Sequence, residues 1–213
     1  MKTETWEYIN DFITRYPRAA YLKDAIISAV SLMTDCAKNG KILLCGNGGS
    51  AADCEHLAGE LLKGFEYERP LSPERKTALL KYGEFGKEIA DNLQQGICCI
   101  PLVSFSATAT AFANDCNPDF LFAQLVNSIG RRGDALIVFS TSGNSANAVY
   151  AAVAAKAAGM SVIAFTGENG GTLKEYADVL LNVPEKKTYL VQEMHLPVYH
   201  LLCHATESEL FDE

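Results

Sequence analysis

Two short runs carry the residue types best suited to proton and metal chemistry. His56 and Glu60 are four apart, a spacing that puts an imidazole and a carboxylate on one face of a helix. Gln192 and His200 are eight apart, about two helical turns, and broadly share a side. A carboxylate beside imidazoles is equipped to abstract and return protons near neutral pH. Each residue has a plain reading as well: a lone His is commonly a core or surface residue, and Glu commonly solvates a helix.

Two loops could hold an anion. Gly46-Asn47-Gly48-Gly49-Ser50 has no Cβ at three of its five positions, so its backbone can approach a ligand closely. The run lacks the Lys of a P-loop and the G-x-G-x-x-G spacing of a dinucleotide fold. In Ser140-Thr141-Ser142-Gly143-Asn144-Ser145, four hydroxyls precede a helix start. Hydroxyls and free helix N–H groups can cradle a phosphate without any charge of their own. Helix N-capping accounts for one or two of these hydroxyls, not for four.

These groups must be held by elements that the pattern outlines. Amphipathic spacing predicts helices over Trp6–Tyr16 and Ala20–Lys38, closed by Gly40. Short apolar runs predict strands at Lys41–Cys45, Ile97–Val103, Ala135–Phe139, Ser161–Thr166 and Val179–Val183. Helices are expected at Ala51–Gly64, Phe120–Ile129, Ala146–Ala158, Leu173–Tyr176 and Tyr189–Glu209. Strands alternating with helices imply a five-stranded parallel sheet covered on both faces, an α/β three-layer sandwich. Ligands in such sheets collect beyond the carboxyl ends of the strands, where both loops fall. Residues 71–95 look inserted, with Ser72 a helix cap and Pro73 at the first helical position. The whole chain, 1–213, reads as one domain with residues 1–40 as an N-terminal helical pair.

Composition narrows the class. Hydrophobic residues make up 48% and charged residues 21%, ordinary for a soluble globular protein. A net charge of −8 argues against nucleic acid as the partner, since phosphate backbones need clustered Lys and Arg. No apolar run approaches the ~20 residues that cross a bilayer, and the start has no basic-then-apolar leader. A cytoplasmic protein is expected. The seven cysteines contain no C-x-x-C pair and read as reduced, buried thiols.

The order strand, GNGGS, helix, then strand, STSGNS, helix resembles the sugar isomerase (SIS) domain, flavodoxin-like in fold, and within it the phosphoheptose isomerase group. The pattern G-N-G-G-S-x-x-D-x-x-H-x-x-x-E is met from Gly46 to Glu60, Asp53 included. The pattern Q-E-x-H-x-x-x-x-H is met by Gln192, Glu193, His195 and His200. The resemblance implies that Ser140, Thr141, Ser142 and Ser145 hold the substrate phosphate. It implies further substrate contacts from Asn47, Gly48, Gly49, Ser50, Asn114, Asp115 and Gln192. It also implies that His56, Glu60, Gln192 and His200 bind a divalent metal, usually Zn2+. The implied reaction converts sedoheptulose 7-phosphate to D-glycero-D-manno-heptose 7-phosphate through an enediol, with Glu60 shuttling the carbon-bound proton and His200 serving the sugar oxygens. A cytoplasmic homotetramer with sites at subunit boundaries, supplying heptose for cell-surface lipopolysaccharide, completes the expectation.

Three features depart from that family: the length of 71–95, Tyr189 where those enzymes carry Asp, and Pro197 inside the last helix. Other readings stay open. One is a non-catalytic SIS-domain sensor or replication-initiator-binding adaptor, which the presence of His56 and Glu60 disfavours; another is an isomerase of a different phosphosugar.

Overall fold

The computed structural model describes residues 1–211. Helices α1 (Thr3–Arg15) and α2 (Lys23–Asn39) come first. The sequence predicts α2 from Ala20, but residues 17–22 form a 3-10 turn started by Pro17, whose fixed φ suits a first helical position. Strand β1 (Ile42–Gly46) leads into α3 (Gly49–Leu62), then the inserted hairpin α4 (Pro73–Leu80) and α5 (Gly83–Asn92). Ser72 caps α4 as expected, its hydroxyl accepting from the Arg75 amide at 3.3 Å. Strand β2 (Cys99–Pro101) is shorter than the predicted 97–103, because the chain turns into a 3-10 helix at Leu102.

Helix α6 (Ser106–Asp115) is absent from the sequence reading. It buries no residue, so it leaves no apolar period in the sequence. Then follow α7 (Leu121–Ile129), β3 (Ala135–Phe139), α8 (Ala146–Ala157), β4 (Ser161–Thr166), β5 (Val179–Asn182) and α9 (Thr188–Leu210). The predicted short helix at 173–176 is a 3-10 turn over Thr172–Glu175.

All strand pairs are parallel and the sheet order is β2-β1-β3-β4-β5, the flavodoxin-like arrangement. Successive strand residues point to opposite faces, and both faces are buried. Ile42, Leu44, Ile137, Phe139, Ile163 and Phe165 meet α1, α2, α3 and α9. Leu43, Cys45, Leu136, Val138, Val162 and Ala164 meet α7 and α8. Five of the seven thiols are buried; Cys98 and Cys116 are exposed, because Cys98 precedes the short edge strand and Cys116 follows the unburied α6. The three-layer architecture puts α3 and α9 side by side on one face, and the starts of α3 and α8 at the ends of neighbouring strands.

Candidate functional site

Helix α3 turns Cys54, Leu57, Ala58 and Leu61 into the core, the i, i+3, i+4, i+7 stripe of a half-buried helix. His56 and Glu60 fall on the edge of that stripe facing α9. There His56 Nε2 lies 3.2 Å from Glu60 Oε1 and 3.5 Å from His200 Nε2. One donor atom from each of the three lies within 4.8 Å of the others. Glu60 Oε2 pairs with Lys63 at 3.3 Å.

The far side of the His56 ring is held. The Tyr199 hydroxyl meets His56 Nδ1 at 2.9 Å, which leaves Nε2 as the nitrogen turned to Glu60 and His200. Burial pushes the Tyr199 hydroxyl well above its usual range, and the nearby Asp53 charge adds to that. Asp53 is itself pushed up to about 6 by burial, with His56 and the Tyr199 hydroxyl pulling the other way. Its Oδ2 is buried without a partner among the described residues. His200 is lowered, chiefly by burial and then by His56, with Glu60 opposing. Two imidazoles and a carboxylate are donor types a divalent cation accepts, and the lowered His200 favours the unprotonated ring that ligation requires.

Both loops stand at the carboxyl ends of adjacent strands β1 and β3. Gly48 has φ +56°, a left-handed conformation that a side chain disfavours, and it caps α3. Gly143 has φ +68°, and a Cβ there would lie 2.1 Å from the Gly170 carbonyl oxygen, so the serine turn packs directly on the 170–171 loop. Ser145 caps α8 without spending its hydroxyl on the helix; that hydroxyl meets Ser140 Oγ at 3.2 Å. Ser142 Oγ accepts from the Asn144 amide at 3.1 Å. Asn47 and Asn147 exchange side-chain amide hydrogen bonds of 2.9 and 2.8 Å, fastening the glycine loop to the start of α8.

All but two of the predicted residues therefore fall into two groups. Asn47, Gly48, Gly49, Ser50, Ser140, Thr141, Ser142 and Ser145 line the joined loops. His56, Glu60 and His200 form the triad. Gln192 belongs with the loops: a Cβ at Gly49 would lie 2.6 Å from its side-chain nitrogen. Eight residues of helix, about 12 Å of rise, separate Gln192 from His200. Helix α9 continues through Pro197, and Tyr189 stands exposed near its start. Asn114 and Asp115 end α6 exposed, joined to each other at 2.8 Å and to neither group among the described residues.

Tyr199, Asn144 and Asn147 carry no assignment in the sequence reading. Nothing in the sequence marks Tyr199, whose polar tip emerges only once α3 and α9 are side by side. A groove of about 580 Å³ runs between α1 and α9 past Phe65, His200 and His204; it touches the triad only through His200.

A family model described as the SIS domain matches residues 7–89 and 101–167; the gap falls at the end of the α4–α5 hairpin. The phosphoheptose isomerase of Thiobacillus denitrificans is 42% identical over 182 residues, 84% of this chain and 80% of that protein. The structure of a phosphoheptose isomerase from Francisella tularensis superposes with a TM-score of 0.75 at 30% identity, covering 98% of this chain and 100% of that one. That of the Neisseria gonorrhoeae phosphoheptose isomerase gives 0.71 at 34% identity, with 95% and 97% covered. The chain belongs to the SIS-domain family and, within it, to the phosphoheptose isomerases.

Proposed function

We propose that this protein, one SIS domain over residues 1–213, isomerises sedoheptulose 7-phosphate to D-glycero-D-manno-heptose 7-phosphate in the cytoplasm, an early step toward lipopolysaccharide heptose. The observation that carries the proposal is the convergence of Glu60 with His56 and His200 in a chain of this family. Glu60 removes a proton from C1 of the open-chain ketose and returns it to C2 of the enediol. His200 takes the proton of the C1 hydroxyl and supplies one to the oxygen on C2. His56, fixed through Nδ1 by Tyr199, keeps Glu60 aimed.

His56, Glu60 and His200 would hold a divalent ion, with Zn2+ the metal the donor types suit. Such an ion would supply Lewis-acid stabilisation of the negative charge that develops on the sugar. Gln192 is the fourth donor in the resemblance, and its place beside Gly49 suits a substrate contact as well.

The phosphate belongs in the Ser140–Ser145 turn, with the α8 N–H groups and the hydroxyls as donors. Glu60 lies eleven residues beyond Gly49, about 16 Å along α3. At about 1.2 Å per bond an extended chain of seven bonds from phosphorus to C2 spans only roughly 8 Å. The serine turn of one protomer and the triad of another therefore suit one substrate better than the two groups of a single chain. This supports a homotetramer with sites at subunit boundaries, with Asn114 and Asp115 as further sugar contacts.

The test is conversion of sedoheptulose 7-phosphate followed by NMR, with and without added zinc, for wild type and Glu60→Gln. Wild-type turnover that the variant loses by at least about 10³-fold, with phosphosugar binding retained, is expected. Near-normal turnover in the variant overturns the role of Glu60. Wild-type binding without turnover turns the reading to a sensor or another phosphosugar.

A further inference from the structure

Helix α5 is amphipathic with its apolar side outward. It buries only Gly86 and Ala90, and Gly86 lies so close to α4 that a Cβ would sit 1.9 Å from the Leu79 carbonyl oxygen. Alongside these two, Tyr82, Phe85, Ile89 and Leu93 run down the helix, spaced three, four and four apart and so one stripe of its surface. All four are exposed, Tyr82 at 77% and Phe85 at 79%, and Leu80 of α4 adds a fifth. Among the described residues, five of the fourteen exposed large hydrophobic ones thus lie within residues 80–93, which is a patch and not scatter. Patches of this kind mark contact surfaces.

Helix α4 sharpens the point. It is eight residues long and buries none of them. Helices shorter than about 12–15 residues are marginal in water unless packing supports them, and Gly86 and Ala90 offer little. Something else covers this hairpin.

The charges say what. Glu74, Arg75 and Lys76 on α4, with Lys81 at its end, sum to +2, while Glu84, Lys87, Glu88 and Asp91 on α5 sum to −2. None of these eight side chains forms an ion pair among the described residues. A two-fold axis that lays α4 of one hairpin over α5 of another brings opposite charges together while the apolar stripes meet. An anionic membrane surface is disfavoured, because the helix bearing the stripe is itself acidic.

We propose that the α4–α5 hairpin pairs with the same hairpin of a second copy of this chain. The proposal adds a named surface to the assembly argued above and rests on the copies associating in solution. Light scattering on the full-length protein tests it, comparing wild type with Phe85→Ser/Ile89→Ser and with Glu84→Lys/Glu88→Lys. All four side chains are exposed, so the monomer fold and its melting temperature should hold. The apolar variant should halve the assembly mass; the charge variant should do so at low salt and recover in high salt, where repulsion is screened. Variants that keep the wild-type mass overturn the hairpin pairing while the assembly itself stands. A monomeric wild type overturns both.

Discussion

At the residue scale, one hydroxyl decides which nitrogen of His56 faces the site. Tyr199 is almost wholly buried, edge-on to Phe139 and to both site histidines, so its ring is set by packing and its hydroxyl is delivered to Nδ1. Outer partners of metal-ligating histidines typically contribute 10–100-fold in affinity. Tyr199→Phe keeps the ring and removes the hydroxyl's contacts to His56 and Asp53. It should weaken zinc binding by about that factor in a chelator competition, with the melting temperature little changed, and nitrogen NMR should show His56 losing its single tautomer. Affinity within twofold of wild type would reduce Tyr199 to a packing residue. His56 and Glu60 are legible in sequence because i, i+4 spacing has one geometric meaning. Tyr199 is not, because an aromatic beside Val198 and Leu201 looks like core until the partner helix is in place.

At the element scale, the link between α3 and the inserted hairpin is tied down by a wholly buried ion pair. Arg69 Nε donates to Glu207 Oε1 at 2.7 Å and its guanidinium also donates to the Leu61 carbonyl. Glu207 accepts the Phe65 and Glu66 amides at 2.8 Å each. Phe65 in turn stands against His200, ring centroids 5.7 Å apart, so this clamp sets a wall of the site. Arg69→Met leaves a buried carboxylate without its cation and should cost about 3–5 kcal/mol in urea denaturation. Arg69→Met/Glu207→Gln should cost less than the sum of the two single changes, since the pair shares one network. Sequence reading finds the hairpin, whose Ser72-Pro73 start is strong local chemistry. It misses the clamp, whose partners are 138 residues apart, and it misses α6, which has no buried stripe to reveal it.

At the scale of the whole molecule, strands and crossover helices are legible because every strand but the edge β2 is a short, nearly continuous apolar run, and parallel sheets permit few topologies. What the sequence leaves open is the depth at which titratable groups end up. His195 matches the family pattern as closely as His200, yet it lies wholly buried between the sheet and α9. Its Nε2 meets the Thr166 carbonyl at 3.2 Å, and among the described residues its Nδ1 has no partner. Burial lowers it from 6.5 to about 4, with the Thr166 contact opposing. Above pH 6.5 folded and unfolded chains both carry it neutral. Between 6.5 and 4 only the unfolded chain takes up the proton, so stability falls as pH falls, by about 3 kcal/mol in total. Asp53 works in the opposite sense: raised from 3.8 to about 6, it stabilises the fold below 3.8 and loses that contribution as pH rises through 6. The raw acid profile is therefore flatter than either group alone would make it. Comparing wild type with His195→Gln cancels Asp53. The stability difference between the two should be constant above pH 6.5 and move against the wild type on acidification to pH 4; a difference that stays flat across that range would mean His195 is charged inside the fold.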